Sequence, residues 1–317
     1  MQFRHFSVMR DEAVSLLKCA PGKCMVDCTL GGAGHAAEIA RNILPDGLLI
    51  GIDQDKDAIR KAEQVLEPFA RNVRLFHDNF VNLPEILSQL NLSAVDGILV
   101  DLGISLYQIE ASGRGFSFSG DEPLDMRMNL QSPTTAASIV NHADPRRLET
   151  IFREFGEERW AGRIARKITE QREKEEILTT GQLVAIVREA IPAGSAAKRR
   201  IHPATKVFMA LRIAVNRELE VLETFMGEAV DLLAPGGRIC VIAFHSLEDR
   251  IVKHRLRDLE GECRCPKDLP VCVCGRKPQI RLLTRKPLRP SAEEVARNPM
   301  SRSAVLRAAE KLPPESK

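Results

Sequence analysis

Apolar runs and amphipathic stretches alternate through the first hundred residues of this 317-residue chain. The apolar runs are rich in Val, Ile and Leu, and they predict strands at 24–29, 47–53, 72–77 and 96–102. The stretches between them have helical periodicity and predict helices at about 34–44, 56–69 and 82–91. Continuous apolar strands separated by helices are typical of parallel βαβ units, whose sheet is buried on both faces.

The strand pattern stops between residues 106 and 212. Residues 112–133 are rich in Gly, Ser and Pro and predict an ordered loop. Basic helices follow at about 145–155, 157–174 and 180–191, and then a long helix near 203–234 that Pro235-Gly236-Gly237 would end. The apolar stripe of the long helix is predicted to be core, and it consists of Leu211, Val215, Leu219, Leu222, Met226, Val230 and Leu233.

A buried-strand pattern returns at 237–245, and it is followed by a predicted helix with Ser246 as its N-cap. Two further short strands, at about 279–284 and 303–309, would complete the sheet. We therefore expect a doubly wound α/β domain that is interrupted after its fourth strand by a helical insertion.

The domain boundaries that follow are 1–105 and 213–317 for the α/β domain and 106–212 for the helical insertion. A content of 44% hydrophobic and 28% charged residues is ordinary for a globular protein. No run approaches the roughly 18 to 20 apolar residues that span a bilayer, and the first residues lack the apolar core of a secretory signal. The sequence therefore predicts a cytoplasmic protein that does not enter a membrane.

The net charge of +3 conceals an uneven distribution of charge. Residues 142–212 carry a net +5 and residues 250–317 carry +9, whereas the two remaining segments are acidic. Basic segments of this kind are typical of an enzyme that binds a polyanion, because phosphate contacts supply much of the affinity for nucleic acids. Solvated helix faces are the alternative explanation of the same charges.

A glycine cluster follows the first predicted strand in VDCTLGGAG, residues 26–34. Glycines between a strand and a helix allow close backbone approach, and the start of the helix offers N–H groups to a polar ligand. Residues 32–37 fit G-x-G-x-x-A, and Asp53 follows Gly34 by 19 residues, where an acid suits a ribose hydroxyl. The pattern fits a dinucleotide as well as another adenosine-containing cofactor, and a structural turn is the third explanation.

Three residues favour S-adenosylmethionine over NAD. Asp27 precedes the glycines inside the end of the first strand, where a carboxylate can meet the amino-acid end of the cofactor. Phe80, after the third strand, can cover an adenine face, and Asp101 ends the fourth strand, near the place of the transferred group. We find no convincing proton relay for a dehydrogenase in the sequence.

Eight cysteines in a chain of this length do not indicate a disulfide scaffold. Four of them form C-x-C-x₆-C-x-C, namely Cys263, Cys265, Cys272 and Cys274. Four thiolates at close spacing suit a tetrahedral zinc ion, and two disulfides or four free thiols are the alternatives. The other four cysteines lie in apolar surroundings and are predicted to be core.

Ordered motifs across nearly the whole chain match one known family. They are RHFSVMRDEAV, VDCTLGGAGH, GIDQD, DGILVDLGIS, RGFSFSGDEPLDMRMN, FGEERWAGRIARKI, HPATKVFMALRIAVN, LAPGGRICVIAFHSLEDRIVK and NPMSRSAVLRAAEK. On these motifs the chain resembles the bacterial 16S ribosomal RNA cytosine-N4 methyltransferases, called RsmH or MraW. The resemblance implies a Rossmann-like class I methyltransferase fold and transfer of a methyl group from S-adenosylmethionine to a cytosine N4 amine in the decoding region of the small subunit.

The resemblance also implies which residues form the sites. The family's cofactor contacts carry over to Ala33, Gly34, His35, Asp53, Phe80, Asp101 and Gln108. The family usually has Ser-Ser-Pro-Gln where this chain has Ser105-Leu106-Tyr107-Gln108. The helical insertion becomes a substrate-recognition domain, and the partner is 16S ribosomal RNA or the small ribosomal subunit.

A cytosine amine is a poor nucleophile because its lone pair is delocalised into the ring, so hydrogen-bond acceptors must activate it. Asp101 is the first candidate acceptor and Ser105 the second. His35 is either a general base or a structural hydrogen-bonding group. His245 lines the RNA site or caps a helix, and the densest basic run of the insertion, Lys198, Arg199 and Arg200, is expected to contact RNA phosphates.

Two other functions compete with this one. The first is a different amino methyltransferase, for example one that acts on adenine in DNA. The second is an RNA-binding module without activity, and the intact glycine loop, Asp53 and Asp101 argue against it.

Overall fold

A computed structural model describes residues 7–196, 201–261 and 276–314. It divides into two compact units, which we call the sheet unit (residues 1–103 and 219–317) and the helical unit (residues 104–218). No helix within the described ranges is long and apolar enough to cross a membrane.

The sheet unit contains one seven-stranded sheet, with the strand order β3-β2-β1-β4-β5-β7-β6. The strands are β1 (Cys24–Asp27), β2 (Leu48–Asp53), β3 (Val73–His77), β4 (Val95–Asp101), β5 (Leu233–Ala243), β6 (Ile280–Leu282) and β7 (Val305–Lys311). The first five strands are parallel, and β7 is antiparallel to both β5 and β6. All seven predicted strands are present, with ends that differ from the prediction by a few residues.

Helices cover both faces of this sheet, as a doubly wound fold requires. Those of the sheet unit are α1 (Arg10–Leu17), α2 (Gly34–Ile43), α3 (Lys56–Val65), α4 (Leu83–Gln89), α12 (Glu218–Glu228, whose first residue belongs to the helical unit), α13 (Ser246–Leu259) and α14 (Ala292–Arg297). Successive residues of one strand belong to different apolar clusters: Ile98 and Val100 lie in one, and Leu99 lies in the other. Because side chains alternate along a strand, the two clusters occupy opposite faces of the sheet.

The helical unit has its own apolar core, which contains Phe152, Leu183 and Leu211. Its helices are α5 (Leu106–Glu110), α6 (Ala136–His142), α7 (Pro145–Thr150, continued by a π-helical turn to Phe155), α8 (Ala161–Arg172), α9 (Thr180–Ala190), α10 (Ala193–Ala196) and α11 (Thr205–Asn216). Residues 112–133 form turns and bends without a helix, as predicted.

The prediction of one long helix at 203–234 is wrong, because this segment contains two helices, α11 and α12. Helix α11 ends at Asn216, and Arg217 adopts a left-handed conformation with φ of 52° before α12 begins. Leu211 packs in the core of the helical unit, whereas Leu222 packs in that of the sheet unit. The apolar stripe is therefore largely core, as predicted, but it serves two cores.

Two predicted end signals are also wrong. Pro235-Gly236-Gly237 does not end a helix, because α12 ends at Glu228 and these residues lie in the irregular first part of β5. Ser246 is not an N-cap but the first residue of α13, and His245 is the cap. The His245 side chain accepts a hydrogen bond from the Glu248 backbone N–H, and the Glu248 carboxylate accepts one from the His245 backbone N–H, as in a capping box.

Candidate active site

Three aspartates lie at the carboxyl ends of neighbouring parallel strands: Asp27 on β1, Asp53 on β2 and Asp101 on β4. Strand β1 pairs with β2 on one side and β4 on the other, so that Asp27 lies opposite Gly51 and Leu99. The strand order reverses here, and open α/β sheets bind their ligands in the crevice at such a switch point.

The glycine loop connects β1 to α2 at this point. Gly31 and Ala33 both have positive φ angles, of 48° and 60°, which bend the chain sharply into the helix. Ala33 occupies the N-cap position of α2 and offers no side-chain cap, so that backbone N–H groups of the first turn stay available to a ligand. This loop was predicted to be a cofactor loop, and its geometry is suited to one.

Asp53 is tied to the glycine loop. Its Oδ2 accepts a hydrogen bond of 2.9 Å from the Gly31 N–H, and its Oδ1 accepts one of 2.8 Å from the Asp55 N–H. Burial raises the pKa of Asp53 to about 6, against the effect of these hydrogen bonds. A carboxylate has about four lone-pair positions, so Asp53 can still accept hydrogen bonds from two ligand hydroxyls.

Asp27 and His35, which are buried, and Asp101, which is half-buried, form a cluster beside the loop. Asp27 is fully buried; its Oδ1 accepts a hydrogen bond from the Thr29 N–H at 3.2 Å, while its Oδ2 has no partner among the described residues. The His35 Nε2 lies 3.5 Å from the Asp101 Oδ2, which is an electrostatic contact rather than a well-formed hydrogen bond. Neither ring nitrogen of His35 nor the Asp101 Oδ1 has a hydrogen-bond partner in the described part of the chain.

The charges of this cluster depend on one another. Burial raises the pKa of Asp27 to about 7, although His35 acts in the opposite direction. Burial alone would lower the pKa of His35, but the Asp101 and Asp27 carboxylates outweigh it, and the pKa lies above its ordinary value. The cluster therefore favours a positively charged imidazole next to the Asp101 carboxylate.

Two residues of this region were missed by the sequence analysis. The Thr29 hydroxyl accepts a hydrogen bond of 2.7 Å from the Asp101 backbone N–H and so ties the glycine loop to the end of β4. Arg10, on α1, is close enough to His35 to lower its pKa electrostatically. Both residues lie in motifs that carried the family resemblance, yet only a contact between distant segments reveals their roles.

Phe80 lies after β3, in a 3₁₀ turn that spans Phe80–Asn82. It is half-buried, and its ring packs edge-to-face on Phe225 with centroids 5.0 Å apart. Asp78, which the sequence analysis left without a role, accepts hydrogen bonds of 2.7 Å from the Asn79 N–H and the Asn82 side-chain amide, and so holds this turn.

Ser105 and Gln108 lie in the helical unit, at the start of α5. The Ser105 hydroxyl accepts a hydrogen bond from the Gln108 N–H at 3.2 Å, and the Gln108 Oε1 accepts one from the Ser105 N–H at 2.9 Å. This capping box leaves Gln108 buried. Leu106 and Tyr107, which stand where the family usually has Ser-Pro, occupy the first turn, and the Tyr107 side chain is exposed.

The other predicted site residues have different positions. His245 caps α13, as one of its two interpretations held. The basic run Lys198, Arg199 and Arg200 and the cluster Cys263, Cys265, Cys272 and Cys274 lie outside the described residues. Cys28 and Cys240 are buried free cysteines, and Cys19 and Cys24 are half-buried ones.

The donor set of the cluster fits S-adenosylmethionine. Five buried side-chain nitrogen or oxygen atoms lack a hydrogen-bond partner among the described residues, and four of them belong to Asp27, His35 and Asp101. Buried polar atoms in proteins are nearly always hydrogen-bonded, so a concentration of exceptions indicates a ligand site. Carboxylates suit the ammonium and sulfonium charges and the ribose hydroxyls of this cofactor.

A parallel sheet extended by an antiparallel β7, with a glycine loop and strand-end acids at its switch point, defines a class I S-adenosylmethionine-dependent methyltransferase. This confirms the predicted fold class. The chain belongs to the MraW methylase family, whose model matches residues 2–312. The family resemblance found in the sequence is thereby confirmed.

Named relatives agree with this assignment. The chain is 57% identical to ribosomal RNA small subunit methyltransferase H of Desulfosudis oleivorans, across 98% of this chain and 100% of that protein. It is 54% identical to the protein of the same name from Desulforapulum autotrophicum, across 98% and 99% of the two chains. The identity to the one from Syntrophotalea carbinolica is 51%, across 98% of each chain.

Proposed function

We propose that this chain transfers a methyl group from S-adenosylmethionine to the exocyclic N4 amine of a cytosine in 16S ribosomal RNA. The observation that carries the proposal is the Asp27–His35–Asp101 cluster, whose buried atoms without hydrogen-bond partners among the described residues lie at the switch point of a methyltransferase sheet. Membership of the MraW methylase family and relatives named for the ribosomal small subunit support this choice of substrate.

The proposed cofactor contacts lie mainly on the sheet unit. Asp53 accepts hydrogen bonds from the ribose hydroxyls, and Asp27 faces the amino-acid end. The backbone of Ala33, Gly34 and His35 donates hydrogen bonds from the start of α2, and the Phe80 ring covers the adenine. Gln108 is the last of the predicted cofactor contacts and is proposed as one here too.

Asp101 is the group that acts on the target amine. When bound, S-adenosylmethionine supplies an electrophilic methyl group on a sulfonium. The Asp101 Oδ1 lacks a partner among the described residues and is free to accept a hydrogen bond from the amine, which localises the nitrogen lone pair. As the nitrogen becomes positively charged this hydrogen bond strengthens, so it stabilises the transition state more than the ground state. The Ser105 hydroxyl, four residues further along, is the second acceptor.

His35 positions that carboxylate. Its Nε2 lies 3.5 Å from the Asp101 Oδ2, so a protonated imidazole holds one carboxylate oxygen and directs the other toward the amine. After methylation the amine releases a proton, and the Asp101 carboxylate is the group that we assign to take it up. His35 thus acts through Asp101 rather than on the base itself.

The helical unit is proposed to recognise the RNA. Residues 142–212 carry a net charge of +5, and the exposed charges of such a surface suit phosphates. The proposed contacts are Lys198, Arg199 and Arg200, which belong to the helical unit, and His245, which belongs to the sheet unit. The partner is 16S ribosomal RNA or the assembled small subunit in the cytoplasm. A structural zinc ion at Cys263, Cys265, Cys272 and Cys274 stays a separate proposal, which elemental analysis of purified protein would test.

Mass spectrometry of ribosomal RNA nucleosides tests the reaction. We expect N4-methylated cytidine to be lost from the 16S RNA of cells that lack this gene and restored when the gene is returned. Unchanged 16S cytidine with a loss of methylated adenine from DNA would favour the alternative amino methyltransferase. Unchanged nucleic acids would favour an inactive binding module.

Asp101→Ala tests the role of the carboxylate. Loss of one acceptor in the transition state is expected to lower the single-turnover rate, at saturating cofactor, on the order of a hundredfold or more. Asp101→Asn keeps one oxygen and should retain more activity.

Asp96→Ala is the matched control for this change. Asp96 lies at the other end of β4, and its carboxylate accepts hydrogen bonds from the Lys23 ammonium and the Cys24 N–H, at 2.7 and 2.9 Å. Its loss should lower the melting temperature but not the rate per folded molecule. An ordinary rate for folded Asp101→Ala would remove Asp101 from catalysis.

A further inference from the structure

Trp160 lies at the N-cap position of α8, between two arginines of the same short segment. The guanidinium carbon of Arg159 lies 5.4 Å from the centroid of the indole ring, and that of Arg163 lies 5.9 Å from it. Trp160 itself is half-buried and packs against the core of the helical unit. The ring is therefore a fixed support for two exposed cationic side chains.

The charges of these two arginines are not neutralised within the described part of the chain. Other exposed arginines nearby in sequence have carboxylate partners: Arg153 pairs with Glu149, and Arg166 lies 3.7 Å from Glu170. No ion pair joins Arg159 or Arg163 to a described residue. The adjacent acid, Glu158, is buried and accepts a hydrogen bond of 2.9 Å from the Trp160 backbone N–H.

A guanidinium that stacks on an aromatic ring keeps its N–H groups free for an anion. The stacking also restricts the side chain before binding, so less conformational entropy is lost when the anion arrives. The five donors of a guanidinium match phosphate oxygens better than a lysine ammonium does. Two such groups on one ring concentrate positive charge for the phosphates of a nucleic-acid backbone.

We infer that Arg159 and Arg163, supported by Trp160, form a phosphate-contacting surface for RNA on the helical unit. We call it the Trp160 surface. The inference rests on the proposed function for its choice of RNA as the occupant. It goes beyond that proposal, which placed the RNA contacts at Lys198, Arg199, Arg200 and His245.

The salt dependence of RNA binding tests the inference. Each phosphate contact contributes about 0.7 to 0.9 to the slope of log K against log salt concentration. For the full-length protein on protein-free 16S ribosomal RNA, the double variant Arg159→Gln/Arg163→Gln should therefore lower this slope by about 1.5. Arg159→Lys/Arg163→Lys keeps both charges and should keep most of the slope.

Arg60→Gln is the matched control for loss of an exposed arginine. The Arg60 side chain is 62% exposed and lies 3.3 Å from Asp57, so its charge already has a partner. This variant should bind RNA with the slope of the unaltered protein. Trp160→Leu keeps the packing of an apolar side chain but removes the ring, and it should weaken binding several-fold while the slope stays nearly constant.

Trp160 also provides a direct signal, because it is the only tryptophan of the chain. Adding 16S ribosomal RNA to the unaltered protein should change the indole emission, whereas S-adenosylmethionine alone should not. In the Arg159→Gln/Arg163→Gln variant the same RNA concentration should give a much smaller change.

The inference is overturned if the double glutamine variant, folded by its melting curve, keeps both the slope and the emission change. A variant that binds free RNA normally but small subunits weakly would show that the surface contacts ribosomal protein instead. Methylation of small subunits by the unaltered protein is measured in parallel. If that methylation is absent, the proposed function fails whatever the slope; if it is present and the slope is unchanged, only this inference fails.

Discussion

The two units differ in whether their buried polar side chains have hydrogen-bond partners. In the helical unit they are hydrogen-bonded: Arg114 is buried and donates to the Arg127 and Met128 carbonyls at 3.0 and 3.2 Å, and Glu158 accepts from the Trp160 N–H. In the sheet unit Asp27, His35 and Asp101 have buried atoms without any partner in the described structure. All five such atoms among the described residues belong to the sheet unit.

This difference teaches which buried charges mark a site. A buried polar group with a full set of partners stabilises a particular backbone conformation, as Arg114 does for the loop at 112–133. A buried polar group without partners destabilises the free protein and is tolerated where a ligand supplies the missing bonds. Burial of a polar side chain is therefore weak evidence for a functional site, whereas a buried polar atom without a hydrogen-bond partner is strong evidence for one.

The comparison predicts that removing a buried charge changes the stability of the protein in opposite directions in the two units. Asp27→Asn should stabilise the free protein, because it removes a carboxylate that ionises at a cost. The pKa of Asp27 is about 7 in the folded protein and 3.8 in the unfolded chain, so the folded protein holds a proton that the unfolded chain has released between those values. Stability from this group is therefore lost as pH rises from about 4 to 7, by up to about 4 kcal/mol.

Urea unfolding of Asp27→Asn and the unaltered protein at several pH values measures this. The two proteins should have similar stability near pH 4, and the variant should become the more stable one toward pH 8. His35, Asp53 and Asp101 act electrostatically on Asp27, so the difference in stability between the two proteins is the quantity to follow. A difference that does not change with pH would contradict the assignment of Asp27 as a desolvated acid.

Arg114→Met should have the opposite effect in the helical unit. It leaves the Arg127 and Met128 carbonyls without their donor, and loss of buried hydrogen bonds to a charged group is expected to cost about 3 kcal/mol. The emission of Trp160, which belongs to this unit, follows its unfolding. Arg153→Met, at an exposed arginine of the same unit, is the control and should cost less than about 0.5 kcal/mol.

Asp53→Ala tests whether the strand-end acids of the sheet unit bind the cofactor, and its expected effect is smaller. Affinity for S-adenosylmethionine should fall by about 2 kcal/mol, because hydrogen bonds to the ribose are lost, and Asp53→Asn should fall between Ala and the unaltered protein. Asp55→Ala removes the N-cap of α3, whose carboxylate accepts a hydrogen bond from the Asp57 N–H at 3.0 Å. It should cost about 1 kcal/mol of stability and leave the affinity unchanged in calorimetry.

The sheet was predictable because its signal is local. A buried strand is encoded by a largely apolar run of residues. A run such as 96–102 can therefore be recognised without knowing what the rest of the chain packs against it. The carboxyl ends of β1, β2 and β4 were predicted to within two residues, which was enough to place Asp27, Asp53 and Asp101 at one edge of the sheet before their contacts were known.

The break at Arg217 could not be predicted in the same way. The apolar positions of α11 and α12 continue in phase, and a left-handed residue that is neither Gly nor Asn gives no sequence signal. Only the tertiary structure decides that Leu211 and Leu222 join different cores. His245 is a similar case, because histidine is not a usual N-cap residue and the adjacent serine is.

The side-chain contacts within the site depend on the register between strands β1 and β4. Thr29 meets Asp101, and His35 meets the same residue, because β1 and β4 pair with Asp27 opposite Leu99. A shift of that register would separate these side chains while the sequence motifs stayed the same. Sequence thus predicted the members of the cluster, but not that Asp27, His35 and Asp101 would share one buried space.

The position of β7 has a consequence for how the protein is made. This strand lies between β5 and β6, with Ile242 opposite Leu306 on one side and Leu282 opposite Ala309 on the other, yet it comes last in chain order. A growing chain is translated from its N-terminal end, so the glycine loop and the strand-end acids leave the ribosome long before residues 305–311 do. Until those residues emerge, β5 has an open edge and β6 has no neighbour in its sheet. The sheet of this methyltransferase is therefore complete only after its last strand in chain order has been translated, although the residues of the cofactor site are made much earlier.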